Sequence, residues 1–364
     1  MRSDHLALEV HPYREVLLTA YIFLMTNLER LQSTGIRRTG APDRGFRYHH
    51  LNGGGPVTKN DLARIRKLVI PPAWTEVAIN SAANGRVQVV GKDAAGRWQY
   101  VYHESHTRAQ EAKKFRRLTK FAQALPKLRQ TIQRQLKDSG LGRERVLACV
   151  LRILSSCSMR PGSEVYASEN GSYGIATLHS NHIKVKGNVV YFDFPGKSGV
   201  RQQRQLRDKR VAKVVRSLLR KPGKRVFQFE NGNGEMVRVT SRHINEYIKE
   251  VMGEHFSAKD FRTWAGTLIC ASALARVGIA KEDSKSARHK KIVAAIKETS
   301  QALGNTPAVC RKSYICPAIL NAYEKGQVVS KYFPSLDSFL RYRGSQLHPA
   351  EKSLVRFLKQ TGSC

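Results

Sequence analysis

No apolar stretch in this 364-residue chain reaches the roughly 20 residues that a membrane-spanning helix needs. The apolar run from Val16 to Met25 is too short to span and has no small-residue cleavage site, which argues against a signal peptide, and it reads as a docking helix. Acidic residues are scarce, 28 against 63 Lys and Arg. They form no constellation suited to magnesium, which binds through carboxylates and waters. A complete phosphate-binding loop is missing as well. Gly196-Lys197-Ser198 has the right ending, but the first glycine of that motif falls on Tyr191, so nothing points to ATP. None of the six cysteines forms a Cys-x-x-Cys pair, which argues against structural zinc and for reduced, packed thiols. His103 and His106 close a strand pattern and do not form a metal pair. Neither a cofactor nor a metal is expected.

What is present is positive charge. A formal net charge of +35, spread along the whole chain, favours a polyanionic partner, of which nucleic acid is the commonest. A membrane surface is the rival, but no basic amphipathic anchor stands out. An apolar share of 41% is enough for real cores, and the length predicts two domains. Residues 35–105 read as a small β-rich domain. Phe46-Arg47-Tyr48, Val77-Ala78-Ile79, Val87-Gln88-Val89-Val90 and Trp98-Gln99-Tyr100-Val101-Tyr102 read as strands, with turn signals between them and one helix from Lys59 to Leu68. Long basic helices follow, at Ala109 to Phe121 and Leu125 to Lys137, so the segment from His103 to Ala109 reads as a hinge. Residues 106–345 form a larger, mainly α domain, interrupted by β segments around Ile183 to Phe194 and a turn at Pro195 to Gly199. Residues 1–34 read as a helical N-terminal extension and 346–364 as a C-terminal helical tail. The fold class is α+β.

A helix from His289 to Gln301 runs into Gly304, a residue suited to a helix C-cap. Asn305-Thr306-Pro307 then turns the chain and opens a new helix, because proline is tolerated in the first helical turn. That helix carries Arg311 and Lys312 and then Tyr314. A phenol is a poor nucleophile at its ordinary pKa of about 10, but among cations it can ionise during attack and form a covalent intermediate. An enzyme acting on nucleic acid without ATP or metal must stabilise phosphoryl charge with its own cations. Arg160, in Met159-Arg160-Pro161-Gly162, sits at a turn after an apolar helix. Lys197 sits at a hairpin tip, and Arg262 opens another apolar helix in Lys259-Asp260-Phe261-Arg262. Taken singly, Arg160 reads as a helix cap, Lys197 as a solvated turn residue and Arg262 as a partner of Asp260.

Together, and in this order with Gly304-Asn305-Thr306-Pro307 and Arg311-Lys312-Ser313-Tyr314, these residues resemble the catalytic set of type IB DNA topoisomerases of the small poxvirus and bacterial kind. Arg64 to Trp74 and Gly96 to His103 resemble that family's N-terminal DNA-clamping domain. Ser172 to Val185, Val189 to Gly199 and Phe256 to Gly266 resemble its catalytic domain. The resemblance implies a tyrosine recombinase/topoisomerase IB-like fold. It implies that Tyr314 attacks a backbone phosphorus to give a 3′-phosphotyrosyl bond, with Arg160 and Arg262 gripping the non-bridging oxygens and Lys197 protonating the leaving 5′-oxygen. Asn305 stands where poxvirus members carry histidine, which leaves it a neutral donor to a phosphoryl oxygen and no titrating role. No carboxylate base for the Tyr314 proton stands out. Gln99, Tyr100, Tyr102, Tyr166, Ser241 and Lys259 match DNA-contacting positions, although Tyr100 and Tyr102 also suit core aromatics. The partner implied is duplex DNA, preferably supercoiled, clamped by a monomer; the location implied is the bacterial cytoplasm, at the nucleoid, with a viral or nuclear origin as the alternative. Two alternatives remain, a tyrosine site-specific recombinase and a non-catalytic basic DNA-binding protein. Recombinases usually carry His-x-x-Arg where this chain has Lys259-Asp260-Phe261-Arg262.

Overall fold

A computed structural model describes residues 26–361 apart from Asn52, Gly54 and Lys281, so the docking helix expected at Val16 to Met25 and the residue Cys364 lie outside the described residues. By contacts the chain separates into two compact units, divided between Ala112 and Lys113. The fold is mixed, with a five-stranded sheet in the first unit and a larger, mainly α-helical second unit that holds two smaller sheets.

In the first unit, helix α1 (Asn27–Thr34) is followed by strands β1 (Ile36–Ala41) and β2 (Gly45–His50), then helix α2 (Lys59–Lys67). Strands β3 (Thr75–Ile79), β4 (Val87–Lys92) and β5 (Trp98–Tyr102) complete an antiparallel sheet of order β2-β1-β3-β4-β5. Alternation along β3 sends Val77 and Ile79 to one face with Ile36, Val89 and Ile65 of α2, and Ala78 to the other with Val87, Val90 and Leu31 of α1. Both helices start at capping boxes, Thr26 with Glu29 and Thr58 with Asp61. The Arg38 guanidinium is buried beneath the Pro71-Pro72 loop and donates to the carbonyls of Pro71 and Trp74 at 3.2 and 2.6 Å.

Helix α3 (Glu104–Arg116) begins immediately after His103, whose ring Nδ1 accepts from the Ser105 amide at 3.3 Å. The hinge expected from His103 to Ala109 is therefore the first turns of a helix. Helix α4 (Leu118–Gln135) also departs from expectation, because it runs through the break expected between Phe121 and Leu125, with Pro126 inside it. An interior proline costs about 3 kcal/mol. Here the apolar face of Leu118, Phe121, Ala122, Leu125, Leu128 and Ile132 runs through it unbroken, and its burial outweighs that cost.

The second unit continues with α5 (Arg143–Cys157), α6 (Glu164–Asn170), and strands β6 (Ile183–Lys186), β7 (Val189–Pro195) and β8 (Arg201–Arg207), which form an antiparallel three-stranded sheet. Helix α7 (Lys209–Leu219), a small hairpin of β9 (Gln228–Glu230) and β10 (Met236–Arg238), and helices α8 (Ser241–Met252), α9 (Ala258–Val277) and α10 (Lys285–Leu303) follow. The chain ends in α11 (Pro307–Ser313), α12 (Pro317–Glu324), α13 (Leu336–Arg341) and α14 (Pro349–Gln360). Helices α5 and α9 are buried along most of their length and form the centre of one continuous core. The expected C-terminal tail is not peripheral. Its helix α14 adds Ala350, Leu354 and Leu358 to that core, and Glu351, 1% exposed, pairs with Arg129 at 2.7 Å. Among the six cysteines the five described are buried and unpaired with one another.

Candidate active site

Four of the five expected catalytic residues come together where helices α5, α9 and α10 end or begin beside α11. Arg262 is the most deeply placed, at 3% exposure one turn into α9. Asp260 does not neutralise it. That carboxylate caps its own helix, accepting from the amide and hydroxyl of Ser257 at 2.9 Å each. Arg262 instead donates to two backbone carbonyls, Ser158 at the end of α5 and Leu303 at the end of α10, the latter at 2.9 Å. Helix C-termini carry partial negative charge, enough to hold a buried guanidinium without cancelling its charge. Its Nε has no hydrogen-bond partner among the described residues. The site thus keeps a cation with a donor to spare.

Arg160 follows the left-handed residue Ser158 (φ 50°, ψ 35°) that ends α5. Its loop is locked by a close crossing of two glycines: a Cβ on Gly174 would lie 2.5 Å from Gly162 N and Cα and 2.7 Å from Arg160 O. The Ile175 and Ala176 amides donate to the carbonyls of Arg160 and Pro161, each at 2.9 Å. Burial, followed by the nearby Arg262 charge, lowers the Arg160 pKa to about 10, so the group remains charged at neutral pH. Its Nη2 donates to Asn305 Oδ1.

Asn305 is placed by the turn its sequence predicts. Gly304 is left-handed (φ 60°, ψ 52°), the Asn305 amide closes back on Ser300 O at 3.0 Å, and Thr306 caps α11 with Pro307 in its first turn. Because Oδ1 is taken by Arg160, the amide nitrogen Nδ2 is left buried with no acceptor among the described residues. It is a preset neutral donor.

Tyr314 ends α11, half-buried, with its ring centroid 5.0 Å from Arg262 Cζ. Its carbonyl accepts from Thr267 Oγ1 at 3.2 Å. The approach is possible because Gly266 on α9 has no side chain: a Cβ there would meet Tyr314 O at 2.8 Å and Tyr314 Cβ at 3.0 Å. Burial is the largest single influence on the phenol and opposes ionisation. Arg262, Arg160 and Lys259 together outweigh it and hold the pKa below its ordinary value. Other tyrosines are worse placed. Tyr323 and Tyr247 are fully buried, donate to Gly278 O and Gln135 Oε1, and are both pushed upward by burial.

Lys197 is the exception to the gathering. It is exposed at the tip between β7 and β8 and makes no hydrogen bond or ion pair with any described residue. Sequence reasoning missed what holds this hairpin in place. Gln202 of β8, 7% exposed, wedges between two glycines: a Cβ on Gly196 would lie 2.7 Å from its Cγ, and one on Gly304 would lie 2.4 Å from its Oε1. Arg204 adds a bond to Ala302 O at 3.2 Å. The residue before Lys197 and the residue before Asn305 therefore touch the same side chain.

The expected DNA-contact residues are scattered. Tyr100 and Tyr102 are 40% and 43% exposed on the edge strand β5, their rings stacked 6.2 Å apart, so they are surface aromatics and not core ones. Gln99 is half-buried and donates to Asp93 Oδ2 at 2.9 Å. Ser241 begins α8, half-buried, and Lys259 is exposed at the start of α9. Tyr166 lies on α6, and its side chain is outside the described residues.

Comparison with known proteins places the chain in a family. The family described as the catalytic core of eukaryotic DNA topoisomerase I matches residues 103–332, and the N-terminal domain of bacterial DNA topoisomerase IB matches residues 45–93. The chain belongs to the type IB DNA topoisomerase family. DNA topoisomerase 1B of Acanthamoeba polyphaga mimivirus is 37% identical over 295 residues, covering 80% of this chain and 88% of that protein. DNA topoisomerase 1B of vaccinia virus is 25% identical over 297 residues, covering 78% and 90%. DNA topoisomerase 1 of Drosophila melanogaster is 25% identical over 218 residues, 56% of this chain but 21% of that larger protein. Among solved structures, the XerH site-specific recombinase bound to its difH substrate aligns with a TM-score of 0.31 at 14% identity, over 61% of this chain and 55% of that one, too loosely to carry an argument.

Proposed function

We propose that this topoisomerase family member is an ATP- and metal-independent enzyme of the small poxvirus and bacterial type, with the tyrosine recombinase-like catalytic fold, relaxing positive and negative supercoils. The observation that carries the reading is the convergence of Tyr314 with Arg262, Arg160 and the free amide donor of Asn305. In the forward step the Tyr314 oxygen bonds to a backbone phosphorus as the bond from phosphorus to the 5′-oxygen breaks. The 3′ end is then held as a phosphotyrosyl ester, and the leaving 5′-oxygen takes a proton from Lys197. The two guanidinium groups and the Asn305 amide stabilise charge growing on the non-bridging oxygens. The ester conserves the energy of the phosphodiester, so after strand swivelling the 5′-hydroxyl reseals the break by the reverse step. The coverage of nearly the whole length of the viral relatives, and the match to a bacterial N-terminal domain, favour the small type. Tyr100 and Tyr102 are free to meet DNA, and the +35 charge supplies phosphate contacts.

The test is relaxation of a supercoiled plasmid in EDTA without ATP, followed by denaturation to trap protein on the 3′ end. Relaxation of plasmids lacking any dedicated site, together with an adduct, supports the reading. Exchange between paired sites would instead support a recombinase, and a mobility shift without an adduct a simple binding protein.

A further inference from the structure

A cavity of about 60 Å³ lies in the second unit, away from the residues assigned above, among helices α4, α5 and α9 and the C-terminal segment. Its polar lining is Arg129, Arg152, Ser155, Ser156, Arg343 and Glu351. Arg129 is fully engaged, in a two-pronged pair with Glu351 at 2.8 and 2.7 Å and on Gln346 O at 2.9 Å. Arg152 is not. It is 7% exposed, and its Nε is buried without a hydrogen-bond partner among the described residues. Its acidic neighbour is Asp208, whose Oδ2 stands 3.7 Å from Nε, an ion pair too long for a hydrogen bond, while Oδ1 caps α7 at 3.0 and 3.2 Å from the Arg210 and Val211 amides. Arg343 uses Nη1 on the carbonyls of Leu340 and Tyr342, at 2.6 and 2.7 Å, while its Nε is buried without a partner. Asp208 is the acid felt by both Arg152 and Arg343, and Arg210 adds more charge of the same sign. Arg129, Arg152 and Arg343 thus share Glu351 and Asp208, leaving one positive charge uncompensated.

A buried guanidinium N–H with no acceptor is costly, and Arg152 and Arg343 each bury one at Nε. We infer that this cavity is a binding site for one small monovalent inorganic anion of the chloride class, held by Arg152 and Arg343. At roughly 30 Å³ per water the space takes about two waters, or a monatomic anion and one water, and no nucleotide phosphate. The site joins Arg343 of the C-terminal segment to Arg152 on α5, eight residues before Arg160, and its apolar wall includes Phe261 and Trp264, which flank Arg262. Occupancy would therefore brace the helices that carry the two catalytic arginines.

The experiment uses the full chain without DNA, at constant ionic strength, replacing gluconate with chloride or bromide. Halide should raise Tm saturably, by about 2–3 °C at ten times its Kd. Arg152→Met should remove the difference between halide and gluconate, and Arg343→Met should weaken it. Should either variant fail to fold, wild-type crystals grown in bromide should show anomalous density within hydrogen-bonding reach of Arg152. Equal Tm in halide and gluconate, a halide effect unchanged in Arg152→Met, or a bromide peak only at molar concentration with no effect on Tm would each overturn the inference and leave a water-filled cavity.

Discussion

Gly266→Ala tests how tightly the site is built, because it adds one methyl group behind the nucleophile. The helix backbone accepts alanine readily, and in a helix interior alanine is favoured over glycine by about 1 kcal/mol, so propensity alone predicts a more stable protein. Space predicts the opposite for catalysis. The new Cβ would sit 2.8 Å from Tyr314 O, 3.0 Å from Tyr314 Cβ and 3.1 Å from Leu303 Cδ1, where ordinary contact begins at 3.4 Å. The leucine can rotate aside. The Tyr314 backbone cannot rotate away in the same manner, being tied to Thr267 Oγ1 and by its amide to Cys310 O at 2.9 Å, so the residue must shift as a whole with α11. Relief therefore moves the nucleophile by about half an ångström. A 1 Å misplacement costs on the order of 10²-fold in rate, so the expected loss is about tenfold. Single-turnover cleavage of a short duplex, alongside its Kd and the melting temperature, provides the measurement. Cleavage within twofold of wild type, or a loss of affinity equal to the loss of rate, would refute the reasoning.

Lys197→Ala should cleave normal DNA slowly and recover on a substrate whose leaving 5′-oxygen is sulfur, since a thiolate leaves without a proton; failure to recover would remove the general-acid role. Asn305→Ala should slow cleavage on the order of 10²-fold, the effect of losing one oxyanion donor, and Arg160→Ala or Arg262→Ala more. Asn305→His should keep activity and acquire a pH step near 6.5 that wild type lacks, read in single-turnover rates from about pH 5 to 9. The Tyr314 phenol, held low by Arg262 and Arg160, should ionise below the ordinary value of 10 in the free protein, so its phenolate fraction rises with pH before that of an exposed tyrosine. In carbon-13 tyrosine spectra one resonance should titrate early, vanish in Tyr314→Phe and move to higher pH in Arg262→Ala; a normal titration in wild type would contradict this.

The turn that sets Asn305 and Tyr314 was legible because it is written locally, in a glycine that tolerates a left-handed backbone and a proline that suits a first helical turn. Strand β8 was not. Its burial alternates as a strand should, but the inward positions are Gln202, Arg204 and Leu206, so the apolar alternation that betrays a strand is absent. Those same polar side chains are inward because they serve the end of α10. Strand β1 was hidden for a related reason, since its buried Arg38 satisfies carbonyls of a loop more than thirty residues away. The break expected between Phe121 and Leu125 is absent from α4, because the decision lay in a buried face that only tertiary packing reveals. The close approaches of Gly266 to Tyr314 and of Gly174 to Gly162 join segments distant in sequence, and a lone glycine gives no sign of its partner.

The central claim is that Tyr314 becomes covalently joined to DNA. Wild type and Tyr314→Phe are incubated with a duplex labelled on the strand to be cut, then denatured and resolved for protein attached to the 3′ end, with affinity measured in parallel. The account predicts an adduct in wild type, none in Tyr314→Phe, and DNA binding unchanged between the two. An adduct persisting in Tyr314→Phe would contradict it.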